Sequence, residues 1–145
     1  MGKKQSEIAR EIAIKAHEGQ VDKGGKPYIN HPEHVAANVE TDGQKAVAWL
    51  HDVLEDTNVT ARDLAAAGIS EDVVDGVVAM TRHEGEDYFD YIDRVALNSL
   101  AREVKKADLV HNMDLSRLVN PSHEQFERRK KYEKAFAILV SKGGA

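Results

Sequence analysis

The chain has 145 residues, no cysteine, 41% hydrophobic residues and a formal net charge of −5 at pH 7. This length and this apolar share fit one folded domain, and the absence of cysteine excludes disulfides and thiolate metal sites. The negative charge disfavours nucleic acid as a partner, and no apolar stretch approaches the roughly 20 residues of a membrane span. We therefore expect one cytoplasmic domain over residues 1–145, without a membrane segment.

The hydrophobic pattern is that of helices. Apolar residues recur three or four positions apart, whereas the alternating β-branched runs typical of strands are scarce. Thr60 and Ser70 each precede such a segment and suit the N-cap of a helix, where a hydroxyl accepts a backbone N–H. No repeat and no linker rich in Ser or Pro divides the chain. We predict an irregular all-α bundle with helices over residues 5–19, 32–40, 44–56, 61–67, 70–80, 88–98, 100–118 and 121–140.

Four polar side chains crowd the end of the third predicted helix. His51, Asp52, Glu55 and Asp56 follow an apolar run. On a helix, side chains three or four positions apart share a face, so these groups project over one limited arc. Three carboxylates so close together repel one another unless a cation neutralises them, which favours a metal site. The alternative is the acidic outer face of a solvated helix.

Two further segments carry isolated polar residues. Asp108 lies in an otherwise apolar stretch, with Asn112 four positions later on the same helix face. His31 stands at the junction of a loop and a helix, from which an imidazole can point into the bundle. Alone, His31 would suit a cap or a surface position, and Asp108 a cap or a salt bridge. Together, the mixed nitrogen and oxygen donors suit Mn²⁺, Fe²⁺, Zn²⁺ or Mg²⁺, and the candidate ligands are His31, His51, Asp52 and Asp108.

In these residues the sequence resembles a known family. The order of His31, His51-Asp52 and Asp108 is similar to the H…HD…D signature of HD-domain metal-dependent phosphohydrolases. The similarity is closer to the hydrolase domain of RelA/SpoT-type alarmone enzymes, and it covers roughly residues 5–118. The segments that carry it are AHEGQ at 16–20, Lys23, PYINHP at 27–32, WLHDVLEDT at 49–57 and KAD…HNM at 106–113.

The resemblance implies a fold, a metal and an activity. The implied fold is the all-α HD bundle, and the implied metal is Mn²⁺, held by His31, His51, Asp52 and Asp108. The implied activity removes the 3′-pyrophosphate of guanosine tetra- and pentaphosphate, so the expected partner is a nucleotide substrate. Long family members also carry synthetase and regulatory domains, so this shorter chain resembles a stand-alone small alarmone hydrolase.

The resemblance also implies roles for four further residues. Glu55 and Asp56 match the carboxylates that position and activate the attacking water, whereas Lys23 and Asn112 match residues that contact the substrate. The basic run at 128–131 is a further candidate for binding pyrophosphate, with a solvated helix face as the alternative. Tyr132 either stacks on a base or belongs to the core.

Two positions depart from the family's pattern. Asp22 and Asp114 stand where alarmone hydrolases usually have an arginine. Both place an anion near the expected substrate side, which would disfavour a highly charged tetraphosphate. Two alternatives therefore stay open. One is a phosphohydrolase of another nucleotide or dinucleotide phosphate, such as NADPH, and the other is a non-catalytic nucleotide sensor.

Overall fold

The computed structural model describes residues 3–114 and 120–143, and helices dominate these ranges. The extended pairing described there is one isolated bridge between Val21 and Pro27. Across the same ranges, no helix is both long and apolar enough to cross a bilayer. The all-α prediction is therefore confirmed. The helices in the described ranges are α1 (Gln5–Ala16), α2 (Asn30–Ala37), α3 (Asp42–Leu50), α4 (Val53–Asp56), α5 (Ala61–Ala66), α6 (Glu71–Ala79), α7 (Tyr88–Ala96), α8 (Ser99–Asn112) and α9 (His123–Gly143).

Side-chain caps explain where several helices begin. The Thr60 hydroxyl accepts the Asp63 N–H at 3.1 Å, and the Asp63 carboxylate accepts the Thr60 N–H at 3.0 Å. The predicted cap of α5 is thus confirmed as a capping box, and the same arrangement starts α3. Ser70 occupies the predicted N-cap of α6, but its hydroxyl donates to the Asp72 carboxylate at 2.6 Å instead of accepting a backbone N–H.

Helix α3 lies at the centre of the bundle. It packs against α1, α2, α6 and α8, and residues 46–50 are all buried. Helix α6 crosses it closely at Gly76, where an added Cβ would lie 2.9 Å from Val47 Cγ2. Because α3 is buried up to its last residue, the chain that follows it begins deep inside the molecule. His51 and Asp52 occupy that position.

The prediction of one continuous helix over residues 44–56 is wrong. Helix α3 ends at Leu50, Asp52 has φ −107° and ψ 0°, and α4 begins at Val53. In an unbroken helix, adjacent side chains diverge by about 100°. Here His51 Nε2 lies 3.1 Å from Asp52 Oδ2, so the break allows both side chains to face the same point. Contacts with distant residues override the local periodicity at this junction.

Other predicted helix bounds also differ from the structure; for example, α2 spans Asn30–Ala37 instead of residues 32–40. Helix α1 ends at Ala16 instead of residue 19, and Gly19 has a φ of +84°, which favours glycine. Helix α8 ends at Asn112 instead of residue 118. Residues 115–118 of that prediction lie outside the described part of the chain.

Candidate metal centre

Three parts of the fold bring four side chains into contact, namely α2, the junction of α3 and α4, and α8. His31 Nε2 lies 2.7 Å from Asp108 Oδ1 and 3.3 Å from His51 Nε2. His51 Nε2 lies 3.1 Å from Asp52 Oδ2 and 3.2 Å from Asp108 Oδ1. The structure thus brings together all four residues that the sequence singles out as candidate ligands. We call this group the His/Asp cluster.

The His/Asp cluster is largely shielded from water and attracts positive charge. His31 is 5% exposed, His51 2% and Asp108 3%. Burial lowers the pKa of His51, but the carboxylates of Asp52 and Asp108 outweigh this effect and raise the pKa well above its usual value. Because two neighbouring carboxylates draw a proton onto a buried imidazole, the same environment favours a cation.

The donors and their spacing fit one divalent cation. Ligand atoms bound about 2.1 Å from an ion lie about 3.0–3.4 Å from one another in octahedral or tetrahedral geometry. Three of the four contacts in the cluster span 3.1–3.3 Å and lie in this range, whereas His31 Nε2 and Asp108 Oδ1 lie closer together, at 2.7 Å. Donor atoms of His31, His51 and Asp52 all lie within 4.8 Å of one another. Imidazole and carboxylate donors without a thiolate suit first-row divalent ions rather than softer metals.

Hydrogen bonds behind the cluster orient two of its members. His51 Nδ1 lies 2.6 Å from the carbonyl oxygen of Ala48 and donates to it, so that in the neutral imidazole Nε2 is the nitrogen with a lone pair. The Tyr28 hydroxyl donates to Asp52 Oδ2. This role of Tyr28 was not expected from the sequence, although the residue lies within the PYINHP segment.

Asp108 has two donors of its own on α8. Lys105 Nζ donates to Oδ2 at 2.9 Å, and Asn112 Nδ2 donates to Oδ1 at 3.1 Å. Burial raises the pKa of Asp108, but Lys105 and His51 outweigh it and hold that pKa well below its usual value. Lys105 was not among the site residues expected from the sequence. Its spacing of three residues before Asp108 was the available signal, because residues at that spacing share a helix face.

A cleft of about 370 Å³ opens onto the cluster. Lys23 and Asn112, the two residues expected to contact substrate, both line it, as does Arg128 on α9. In contrast, Arg129 and Lys130 pair with neighbouring glutamates on the exposed side of α9. The basic run at 128–131 is therefore divided between the cleft and solvent. Tyr132 lines the cleft and also packs against the core. The remaining lining residues include Val21, Asp22, Tyr28, Lys105 and Gln125.

Glu55 and Asp56 lie beside the cluster instead of lining this cleft. They border a second depression, together with Ala16 and Gln20 from the end of α1 and the loop after it. Glu55 Oε1 accepts the backbone N–H of Arg82 at 2.6 Å. Burial, with a smaller effect of the Asp52 charge, raises the pKa of both carboxyls. Raised pKa values are those that a general base near neutral pH requires.

Asp22 has a structural role that its acidic character does not reveal. Its Oδ1 accepts the backbone N–H of Gly24 at 2.9 Å and that of Lys26 at 3.0 Å. These bonds close the loop that carries Lys23, and they direct two backbone dipoles at the carboxylate. Asp22 nevertheless lines the cleft, whereas Asp114 is exposed just after α8.

Sequence comparisons connect the chain to proteins named for guanosine nucleotide reactions. A Mycobacterium leprae protein named a probable GTP pyrophosphokinase is 32% identical over 137 residues, which are 86% of this chain and 17% of that protein. A Haemophilus influenzae guanosine-3′,5′-bis(diphosphate) 3′-pyrophosphohydrolase is 38% identical over 117 residues, which are 70% of this chain and 17% of that protein. No protein-family model matches the chain.

A solved structure, described as a metazoan ortholog of SpoT that hydrolyzes ppGpp, shares the fold. It aligns with a TM-score of 0.78 and 22% identity, over 97% of this chain and 87% of that one. The chain belongs to the RelA/SpoT-type HD-domain family. The family resemblance and the HD fold inferred from the sequence are thereby confirmed. This RelA/SpoT-type chain spans only 17% of the length of the two curated relatives, so their names describe much longer proteins.

Proposed function

We propose that this RelA/SpoT-type chain is a cytoplasmic hydrolase that removes pyrophosphate from the 3′ position of guanosine tetra- and pentaphosphate. The observation that carries the proposal is the His/Asp cluster, three members of which line a cleft together with lysine and arginine side chains. The name of the Haemophilus influenzae relative describes this reaction. The name of the Mycobacterium leprae relative describes pyrophosphate transfer instead, so the proposal of hydrolysis rests on the residues of the site.

The proposed cofactor is Mn²⁺, held by His31, His51, Asp52 and Asp108. When bound, a divalent ion at this position supplies positive charge against phosphate oxygens and acidifies water. The fit rests on the donor spacing and on the affinity of the cluster for positive charge. A water-activating cluster with adjacent carboxylates favours hydrolysis over transfer to a second nucleotide.

Two carboxylates are available to take a proton from the attacking water. Glu55 and Asp56 both have raised pKa values, and both lie within one helical turn of the cluster residue Asp52. One oxygen of Glu55 accepts the Arg82 N–H, which fixes the orientation of that side chain. We propose that one of the two carboxylates is the general base and that the other positions the water.

The cations of the cleft bind the phosphates in this proposal. Lys23 and Arg128 both line the cleft, Lys23 from the loop before α2 and Arg128 from α9. Asn112 lines the same cleft while its amide donates to Asp108, so it links the substrate side to the cluster. Charge-assisted hydrogen bonds from lysine and arginine are the strongest contacts that side chains offer to phosphate.

The proposed reaction is hydrolysis of the bond between O3′ and phosphorus. The oxygen of water forms a bond to the phosphorus attached to O3′, and the bond between that phosphorus and O3′ breaks. One proton of the water passes to the carboxylate base, and O3′ gains a proton as it becomes the free 3′-hydroxyl. Guanosine tetraphosphate then yields GDP and pyrophosphate, and neither oxidant nor second nucleotide is consumed.

A second candidate function is hydrolysis of another nucleotide or of a dinucleotide phosphate such as NADPH. Asp22 is the observation that favours it, because this carboxylate lines the cleft. Its bonds to the Gly24 and Lys26 N–H groups offset part of its charge and make the tetraphosphate the better proposal.

A substrate panel tests these proposals. The purified chain is incubated with MnCl₂ and, separately, with guanosine tetraphosphate, GTP, ATP and NADPH, and released pyrophosphate and phosphate are measured. We expect release of pyrophosphate from guanosine tetraphosphate and no release with Asp52→Ala. Turnover of NADPH alone would support the second candidate. Tight binding of guanosine tetraphosphate that stays intact would instead indicate the nucleotide sensor.

A further inference from the structure

A second histidine, His111, contacts the ring nitrogen of His31 that points away from the His/Asp cluster. The Nδ1 atoms of His31 and His111 lie 2.6 Å apart, and the two ring planes differ by 8°. The ring centroids are 4.9 Å apart, so the rings meet edge to edge in nearly one plane instead of overlapping. This geometry is that of an in-line N–H···N hydrogen bond.

A third imidazole covers the face of the second. The His34 ring lies 3.9 Å from the His111 ring, centroid to centroid, with planes 15° apart, so these two rings do overlap. His34 is exposed on α2, and His111 is partly buried on α8. His34 therefore shields one face of His111 and restricts rotation of its ring.

The spacing along both helices explains this arrangement. His31 and His34 are three residues apart on α2, and Asp108 and His111 are three residues apart on α8. Residues at that spacing share a helix face. Each helix thus presents one member of the His/Asp cluster and, one turn later, an imidazole on the same side.

We propose that His111 is a positioning residue for His31, and that His34 positions His111. The inference rests on the proposed metal site. A neutral imidazole offers Nε2 as a ligand only when Nδ1 carries the proton, and that N–H requires an acceptor. When His31 binds a metal through Nε2, its Nδ1–H faces His111 Nδ1, which is placed to be that acceptor, as the Ala48 carbonyl oxygen is for His51. The partner of His31 Nδ1 is the side chain of His111, whereas that of His51 Nδ1 is a backbone carbonyl. Substitution of His111 can therefore remove the contact without changing the backbone.

Binding of Mn²⁺ alone, measured by calorimetry, tests this inference without any substrate. His111→Leu removes the acceptor, and we expect Mn²⁺ affinity to fall by about 10- to 100-fold. His111→Asn replaces Nδ1 by an amide oxygen and should bind Mn²⁺ nearly as tightly as the wild type. His34→Phe keeps the stacked ring and should bind Mn²⁺ as tightly as the wild type. His34→Ala should have a Mn²⁺ affinity between that of the wild type and that of His111→Leu. Thermal unfolding of each metal-free variant shows whether the fold is retained.

Separate results overturn the inference and the proposed function. If the wild type binds no Mn²⁺, the proposed function fails and the inference fails with it. If the wild type binds Mn²⁺ and a folded His111→Leu binds it equally well, the inference alone is wrong. Equal loss in His111→Asn and His111→Leu would likewise contradict a role as hydrogen-bond acceptor. If His111→Leu does not fold, the comparison of His34→Ala with His34→Phe decides, and equal affinities would overturn the inference.

Discussion

His31 on α2 and Asp108 on α8 are 77 positions apart in the sequence, yet His31 Nε2 lies 2.7 Å from Asp108 Oδ1. Both helices pack against the buried central helix α3, and they also pack against each other. The distance between the two side chains is therefore set by the core and not by a local turn. Substitutions that shift α2 relative to α8 should affect the His/Asp cluster even when they lie far from it.

Removing Lys105 should destabilise the metal-free protein. Its side chain is 13% exposed and bonds to the buried Asp108 carboxylate at 2.9 Å. Lys105→Met removes the positive charge that neutralises the buried carboxylate of Asp108. We expect the free energy of unfolding to fall by about 3–5 kcal/mol. Saturating Mn²⁺ should restore part of the loss, because it supplies the missing charge. Urea denaturation with and without the ion measures both effects.

The neighbouring lysine provides a matched control. Lys106 pairs with Glu103 at 3.0 Å, but the two side chains are 27% and 34% exposed. Lys106→Met should therefore cost less than about 1 kcal/mol. An equal loss in both variants would show that the ion pair with Asp108 has no special importance.

The two carboxylates beside the cluster should affect turnover and not metal binding. Glu55→Gln and Asp56→Asn remove candidate bases without removing a member of the cluster, and general-base catalysis contributes typically 10²–10⁴-fold. We expect kcat to fall within about that range for the variant that lacks the base, while Mn²⁺ affinity stays close to the wild type. Steady-state kinetics and calorimetry measure the two quantities. Asp75→Asn, at an exposed position on α6, is the control, and loss of Mn²⁺ binding in both test variants would contradict their assigned roles.

The contact between Glu86 and Arg94 should depend on pH. Hydrogen bonds from Arg94 lower the pKa of Glu86 from an ordinary 4.5 to about 2. Because the pKa is lower in the folded state, this contribution to stability is complete above about pH 4.5 and is lost as the pH falls toward 2. The difference in urea midpoint between wild type and Glu86→Gln should thus be largest near pH 7 and should shrink by pH 3. Glu84→Gln, at an exposed position nearby, should show no such trend.

Gly76 should be intolerant of any side chain. A Cβ there would lie 2.9 Å from Val47 Cγ2 and 3.4 Å from Leu100 Cβ. Val47 is fully buried and β-branched, so it has little freedom to move. Overpacking costs about 1–3 kcal/mol, which we expect to exceed the gain in helix propensity of roughly 1 kcal/mol from glycine to alanine.

Two variants separate steric overlap from other causes at Gly76. Gly43→Ala should be neutral or mildly stabilising, because its Cβ would lie 3.5 Å from the nearest atom of Leu100. Adding Val47→Ala to Gly76→Ala should recover stability relative to the sum of the two single changes. Additive losses in this double-mutant cycle, measured by urea denaturation, would exclude the overlap as the cause.

Local patterns in the sequence predicted much of this fold. The cap at Thr60 and the helical character of most segments depend on contacts within a few residues, and the structure agrees with these predictions. The break after Leu50 could not be predicted in this way, because it depends on contacts of His51 with α2 and α8. A helical periodicity contains no information about partners that the chain reaches only after folding.

The site shows the same division. His31, His51, Asp52 and Asp108 were recognisable because their types and order match a ligand set. Of their supporting contacts, that of Lys105 has a local signal, its spacing of three residues before Asp108, whereas His111 meets His31 only when α2 and α8 pack together. The position of Glu55 and Asp56 outside the cleft also follows from the helix break and not from their spacing.

The most direct test of the central claim identifies the products formed from guanosine pentaphosphate. Wild-type protein and Asp108→Ala are incubated with this nucleotide and MnCl₂, and the products are separated by anion-exchange chromatography. Removal of the 3′-pyrophosphate predicts GTP and pyrophosphate with the wild type and unchanged nucleotide with Asp108→Ala. Formation of guanosine tetraphosphate and phosphate, or recovery of intact pentaphosphate from folded, Mn²⁺-loaded wild type, would contradict the proposed function.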